Sequence, residues 1–411
     1  MRVLIFSPEK PYTGAESIVT AKLMRAMLNH GWEVEMIYHE TEMMYSTDYD
    51  VHSIKKHSYG IENKKLKDFI LRRKGKSLIF KKLTSLDSFL WVLRSYRLAL
   101  KLRKRKNFDL VISRIMPQYG HLPALLFKLT GRKSKWIANW SDPLPRAKSP
   151  EPYGQGPGAK TRVLELLYVQ LVVKTADHNT FPSERLMEYY WRYLPGVKSK
   201  CSVLPHVIIE KTDGHVWPGT SDDSITLTHL GGFGLRSPVK LIVAYKKLKD
   251  QKLLPGEIYF RFIGPIDEYI FQLNEQNNIT SDISLEGVKS YEETLEIIRQ
   301  SDMMLVVEAP INEGIFLPSK VVDYLQYSEP ILAISPRNGV MNDLIAHYGG
   351  GIVADCTSIE DISNALLRIN GEVSLLKGSK GIYNTEKLKS KFSEETIVEN
   401  IKEIYKKCNL S

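Results

Sequence analysis

Twice along this 411-residue chain, short apolar runs alternate with longer segments that carry a single apolar stripe. The first series of runs falls at 2–7, 34–38, 109–113, 135–139, 178–181 and 201–204, and the second at 225–229, 259–263, 283–285, 303–307, 331–334 and 351–354. Runs such as VLIF and MLVV are apolar at every position, which is what a strand needs when helices cover both faces of its sheet. Strand and helix in strict turn give parallel sheets joined by crossover helices. An α/β protein with two doubly wound sheets is therefore expected. The polar stretch 206–223, with Pro218 and Gly219, reads as the linker between them. One domain is expected over 1–205 and a second over 206–392, followed by an amphipathic helix over 393–408.

Composition excludes several classes. With 43% hydrophobic and 25% charged residues the chain is a folded globular protein. Cys201, Cys356 and Cys408 are widely spaced and odd in number, which argues against a disulfide framework or a zinc site and fits a reducing cytoplasm. The opening MRVLIFSPEKPYTG is too short in apolar residues for a signal peptide, and no span of about 18 apolar residues occurs. Charge divides unevenly. Residues 1–205 hold 36 Lys and Arg against 18 Asp and Glu, whereas the remainder holds 21 against 29. Such an excess points the first half at something anionic.

The segment EAPINEGIFLPSKVVDYLQYSEPILAIS, 308–335, follows the strand 303–307 and leads through a short helix into the strand opened by Pro330. Pro318-Ser319-Lys320 thus stands where the carboxyl end of a strand feeds a helix. Ligands of open parallel sheets bind beyond those ends, and the unpaired N–H groups of a helix start attract phosphate. Lys320 adds a full positive charge. Asp323, one turn on, is suited to accept hydrogen bonds from adjacent sugar hydroxyls, so that phosphate and diol together describe a nucleotide. The same residues also read as an ordinary helix start with a solvated lysine.

At these residues the chain resembles glycosyltransferase family 4, of the two-domain GT-B class. Asp323 and Pro330 keep the seven-residue spacing of the family's second acid and its Pro-initiated strand. The acid eight positions before it is replaced by Ile315, Glu313 being the nearest carboxylate, and the closer likeness is to members with a Ser-Lys pair before the acid. Gly231-Gly232-Phe233-Gly234 followed by Arg236 resembles the family's phosphate loop; its other cation is missing, and Lys320 is the substitute the sequence offers. The turn Gly14-Ala15-Glu16 resembles the family's first loop, although a glycine before a helix is also common punctuation. Trp140-Ser141-Asp142-Pro143 is similar to a strand end of bacterial sugar transferases, with Ser141 where they carry Arg. Asp142 either orients an acceptor hydroxyl or caps the next turn, and His121 is a further acceptor-side candidate that equally well packs in a core.

The resemblance implies two Rossmann-like domains facing each other across a cleft, with the terminal helix 393–408 packed back on the first. It implies transfer of a sugar from a nucleotide diphosphate sugar to a glycan or polyprenyl-diphosphate-linked acceptor, with retention of configuration, without a metal and without a cofactor. The catalytic candidates are Asp142, Arg236 and Lys320. The donor-side candidates are Gly14, Gly232, Arg236, Gly264, Glu313, Pro318, Ser319, Lys320 and Asp323. A nucleotide-sugar epimerase and a non-catalytic binding protein are the alternatives.

Three stretches stand apart from this scheme. Residues 55–106 carry 18 basic and three acidic side chains among Phe89, Leu90, Trp91 and other apolar residues. A basic helical insertion lying on the anionic inner face of the cytoplasmic membrane is expected, with a solvated face over an internal core as the alternative. No nucleic-acid module accompanies the charge, so no nucleic-acid partner is expected. The loop 143–158, rich in Pro and Gly, is long enough to close over an acceptor. Asp48-Tyr49-Asp50 spells a metal-binding DxD but reads as a loop, and 231–236 is not the GxGxxG of a dinucleotide site.

Overall fold

The computed structural model describes residues 1–9, 14–39, 55–59, 86–115, 117–130, 133–154, 163–209, 224–277, 279–372 and 383–410. Two compact units emerge. One contains Met1–Ser149, Gly154–Val207 and Ile397–Ser411, and the other Pro150–Tyr153 and Ile208–Thr396. The Asp48–Asp50 motif lies outside the described residues, as do most of the stretch read as a linker and the end of the 143–158 loop.

The first unit is built on a parallel sheet of seven strands in the order β3-β2-β1-β4-β5-β6-β7. The strands are β1 (Arg2–Phe6), β2 (Glu33–His39), β3 (Lys55–Tyr59), β4 (Leu110–Arg114), β5 (Lys135–Asn139), β6 (His178–Phe181) and β7 (Cys201–Val203). Val3 to Phe6 and Leu110 to Ile112 are almost completely buried, as continuous apolar runs beneath helices on both faces must be. The helices are α1 (Ala15–Asn29), α2 (Leu86–Arg105), α3 (Leu122–Leu129), α4 (Val163–Thr175) and α5 (Glu184–Tyr193). Ser183 caps α5, its side chain accepting the Leu186 N–H at 3.1 Å.

The basic stretch 55–106 differs from its expected form in two ways. It opens as a strand, β3, that extends the sheet by pairing parallel with β2. Among the described residues, the apolar side chains at 89–92 do not face outward: Trp91 and Val92 on α2 are buried, Phe89 and Leu90 are half-buried, and the Trp91 ring meets Tyr119 edge-on at 5.6 Å. Over 86–105 a basic helix on an internal core forms, because burying Trp91 against Tyr119 removes a large apolar surface from water. Residues 60–85 lie outside the described residues.

The second unit carries a six-stranded parallel sheet in the order β10-β9-β8-β11-β12-β13. Its strands are β8 (Ser224–Leu230), β9 (Glu257–Ile263), β10 (Ile283–Gly287), β11 (Met303–Val307), β12 (Ile331–Ser335) and β13 (Gly351–Asp355). Its helices are α6 (Val239–Asp250), α7 (Glu268–Gln276), α8 (Tyr291–Arg299), α9 (Val321–Gln326), α10 (Val340–Tyr348), α11 (Ile359–Gly371) and α12 (Glu386–Lys391), followed by α13 (Glu394–Leu410), most of which belongs to the first unit. A capping box starts α8, with Ser290 Oγ accepting from Glu293 N and Glu293 accepting from Ser290 N. Both sheets reverse direction once, between β1 and β4 and between β8 and β11. Chain connections diverge there and leave a crevice beyond the carboxyl ends, which is where such sheets bind ligands.

Candidate functional site

At the reversal of the second sheet, β8 runs out at Leu230 into Gly231-Gly232-Phe233-Gly234, and β11 runs out at Val307 into Glu308. The glycines are required by backbone shape. Gly231 and Gly234 have φ of 90° and 54°, and Gly264, at the end of β9, has φ of 134°. A Cβ on Gly264 would stand 2.8 Å from the Gly231 carbonyl carbon, so two strand ends approach backbone to backbone at this point. Gly264 therefore shapes the loop. Phe233 plugs its underside, stacked on the buried His229 ring at 4.4 Å and edge-on to Phe262. The loop, Tyr153, Pro265 and Asp267 line an open depression of about 410 Å³, and Tyr153 is held there edge-on to Phe316 at 5.1 Å.

Lys320 reaches into this junction. Its stem keeps some exposure, but its ammonium is enclosed, donating to the Leu230 carbonyl and to His229 Nε2, the latter at 3.1 Å. His229 Nδ1 lies 3.1 Å from the Leu305 carbonyl and donates to it, which leaves Nε2 as the acceptor. A Cβ on Gly231 would lie 3.7 Å from Lys320 Nζ, so the lysine charge fills the space that a side chain of the loop itself would occupy. Burial first, and then the Arg236 guanidinium, hold the Lys320 ammonium well below the usual lysine range, against the opposing pull of Glu308 and Asp323. Burial and the neighbouring Lys320 likewise keep His229 neutral. Arg236 closes the loop, its N–H donating to the Phe233 carbonyl at 2.8 Å. Two cations thus crowd one strand end, and an anion of two or more charges is the species that would relieve them.

Asp323 sits in the first turn of α9, and its Oδ1 accepts a hydrogen bond from the Tyr291 hydroxyl at 2.7 Å. Tyr291 opens α8 and fixes one edge of the carboxylate. Tyr324, fully buried, accepts the Leu230 N–H at 3.2 Å and donates its hydroxyl to the Leu305 carbonyl at 3.4 Å, tying α9 to the end of β8 and the middle of β11. Pro318 and Ser319 form the half-buried approach to the helix. Glu313 is half-exposed, one residue before Gly314, whose backbone bridges to Gly339.

Sequence reasoning missed Glu308 and Tyr291. Glu308 is 6% exposed, and its Oε2 has no hydrogen-bond partner among the described residues. Burial pushes its carboxyl up to about 7, although Arg236 and Lys320 act in the opposite direction. An acid directly after an all-apolar strand was the available signal, since position alone places it at the ligand-binding end of the sheet.

The reversal of the first sheet carries a second polar cluster. Arg114, at the end of β4, pairs with Glu16 at 2.8 Å, and Ser141 Oγ donates to the same carboxylate oxygen at 2.8 Å. Burial opposes the Glu16 charge, but Arg114 outweighs it and leaves the carboxyl below its usual range. Glu9 is shifted upward, by burial and then by Glu16. Asp142 follows Ser141, half-buried, with its carbonyl accepting from the Tyr190 hydroxyl at 2.8 Å.

Two sequence candidates change character here. His121 is completely buried, packed on Trp140 at 4.4 Å with Nδ1 2.7 Å from Ser113 Oγ, and burial drops its pKa to about 3. It is a neutral, fully buried residue. Gly14 has extended backbone open to any residue, and its N–H is taken by Ser17 Oγ at 2.8 Å, so it holds no donor ready for a phosphate.

No family model matches this chain, and no curated protein does. Solved structures do. Sucrose-phosphate synthase from Thermosynechococcus elongatus superposes with a TM-score of 0.67 at 14% identity over 98% of each chain. HepE from Anabaena, solved in complex with UDP and glucose, gives 0.64 at 12% over 98% of each. A point mutant of TarM from S. aureus, solved with Fondaparinux, alpha-GlcNAc-glycerol and UDP, gives 0.65 at 10% over 98% of this chain and 99% of its own. The fold is that of the GT-B glycosyltransferases, with two Rossmann-like domains.

Proposed function

We propose that this protein is a glycosyltransferase that moves a sugar from a nucleotide diphosphate sugar to a glycan or polyprenyl-diphosphate-linked acceptor in cell-surface polysaccharide synthesis. The observation that carries the reading is the enclosed Lys320 ammonium beside Arg236 at the carboxyl end of β8, with Asp323 one helical turn away. Two cations suit a diphosphate and a carboxylate suits the ribose diol. In the reaction the bond between the sugar C1 and the diphosphate oxygen breaks, its electron pair leaves with the diphosphate, and the acceptor hydroxyl oxygen bonds to C1 as its proton departs. Arg236 and Lys320 meet the negative charge that grows on the leaving group, so the demand for a strong base is small and their charge does the work of a metal. Attack on the face the diphosphate leaves retains configuration.

Several residues complete the assignment. Asp142 takes the acceptor hydroxyl. Gly232, Pro318 and Ser319 shape the diphosphate pocket and Glu313 stands on its loop. UDP is the first nucleotide to test, because structures of this fold hold it. The charge excess of residues 1–205 supports work at the inner face of the membrane, where a lipid-linked acceptor presents its sugar. Among the described residues no helix is long and apolar enough to cross a bilayer. The test is product analysis with radiolabelled nucleotide sugars and a lipid-linked acceptor extract. Label appearing in the acceptor supports the reading, whereas an epimerised free sugar, or binding without turnover, would replace it.

A further inference from the structure

The outer face of α4 is the feature of the first unit that the chemistry above leaves unused. Its sequence, VLELLYVQLVVKT, is apolar nearly all round, the composition of a helix covered on every side. Only one side is covered: Val169, Val172 and Val173 are buried, while Val163, Leu164, Leu167 and Leu171 are 72, 39, 53 and 48% exposed. Their spacing sets them on one stripe, and Lys174, also exposed, ends it.

What lies beside the stripe identifies its occupant. Helices α2, α3 and α4 pack in succession, α3 against both of the others, and the end of α3 is pinned to the turn after α4 by Lys128 and Asp177 at 2.6 Å. Leu129, the last residue of α3, is 60% exposed. On α2 the exposed side chains are Arg97, Lys101, Lys104 and Arg105. One helical layer thus shows leucines on one flank and arginine and lysine on the other. A second copy of this face would bring like charges together, and a nucleic acid offers nothing to leucine. An anionic bilayer answers both, since acyl chains take the apolar stripe and headgroups take the cations.

We propose that α4, with the basic face of α2 beside it, is the surface by which the protein docks on an anionic lipid bilayer. This adds to the function above the place where the membrane is met. Its test involves no turnover, so either claim fails without the other.

The full-length protein is sedimented with vesicles of phosphatidylcholine alone and of phosphatidylcholine with phosphatidylglycerol. Binding to the anionic vesicles, weakened by salt, is expected. The triple substitution L164S/L167S/L171S should reduce partitioning about tenfold or more with unchanged thermal melting, because exposed leucines support no core. The single change Leu167→Glu should weaken binding by adding repulsion. R97Q/K101Q/K104Q should lower binding at low salt and flatten its salt dependence. Wild-type protein that ignores anionic vesicles, or serine and glutamate variants that bind like wild type, would overturn the proposal. So would a wild-type dimer that the leucine substitutions dissolve, which would give the stripe to a second copy.

Discussion

In the proposed reaction Arg236 and Lys320 divide one task, the stabilisation of charge on a departing diphosphate, and each should carry a large share of it. Arg236→Ala or Lys320→Ala is expected to lower turnover on the order of a hundredfold or more while the fold persists, as steady-state kinetics and circular dichroism will show. Asp323→Ala should raise the donor dissociation constant more than it lowers the maximal rate, because ribose contacts change little between ground and transition states. Lys320 also makes a claim about protons. Its pKa is depressed in the protein and a polyanion beside it favours the charged form, so in the pH range between the free and the bound pKa a nucleoside diphosphate should bind with proton uptake and an affinity that falls as pH increases. Calorimetry in buffers of different ionisation enthalpy reads that uptake directly. Glu308 acts on stability instead. Its folded pKa of about 7 exceeds the ordinary 4.5, so between those values the folded state holds the extra proton and stability falls as pH rises through the window. Glu308→Gln should abolish a fall on the order of 3 kcal/mol in denaturant titrations. The sequence already displayed Lys320, Asp323 and the glycine loop, since local spacing and a strand-to-helix junction determine them. Glu308 was signalled only by its place after an all-apolar strand, and Tyr291 was not legible as part of a site, because its role depends on which elements meet across the sheet.

Elements were easier to read than their faces. The strands came from continuous apolar runs, and the cap at Ser183 and the capping box at Ser290 follow from residue type. The helix Leu86–Arg105 shows where that reading stops. A basic helix with an aromatic stripe has the same pattern whether the stripe enters lipid or a core, and only the neighbours decide. Here Tyr119 and the layer beneath receive Trp91. Trp91→Ala should therefore cost about 3 to 5 kcal/mol of stability, measured by chemical denaturation in the absence of lipid. The converse holds at Val163–Thr175, where a helix apolar nearly all round has the composition of a core helix and yet keeps one face in the open. Gly264, held at positive φ against Gly231, should not tolerate alanine without displacement of the phosphate loop and loss of donor affinity.

At the scale of the whole molecule, two sheets that each reverse once leave two polar clusters at the carboxyl ends of their strands, and they differ in sign. The cluster of the second sheet gathers two cations around a carboxyl, Glu308, that burial disposes to stay protonated. In the first, Arg114 is matched with Glu16, whose carboxylate also accepts from Ser141. This asymmetry favours the second unit as the site of the proposed diphosphate, and it could not be seen in the sequence, where Glu16, Arg114 and Ser141 are far apart. Calorimetric titration of the intact protein with a panel of nucleoside diphosphates and the parent nucleosides tests that proposal most directly. The expected result is that at least one diphosphate binds, that its nucleoside binds far more weakly, and that R236A/K320A loses the difference while remaining folded. Binding of no diphosphate, or equal binding by wild type and the double variant, would contradict it.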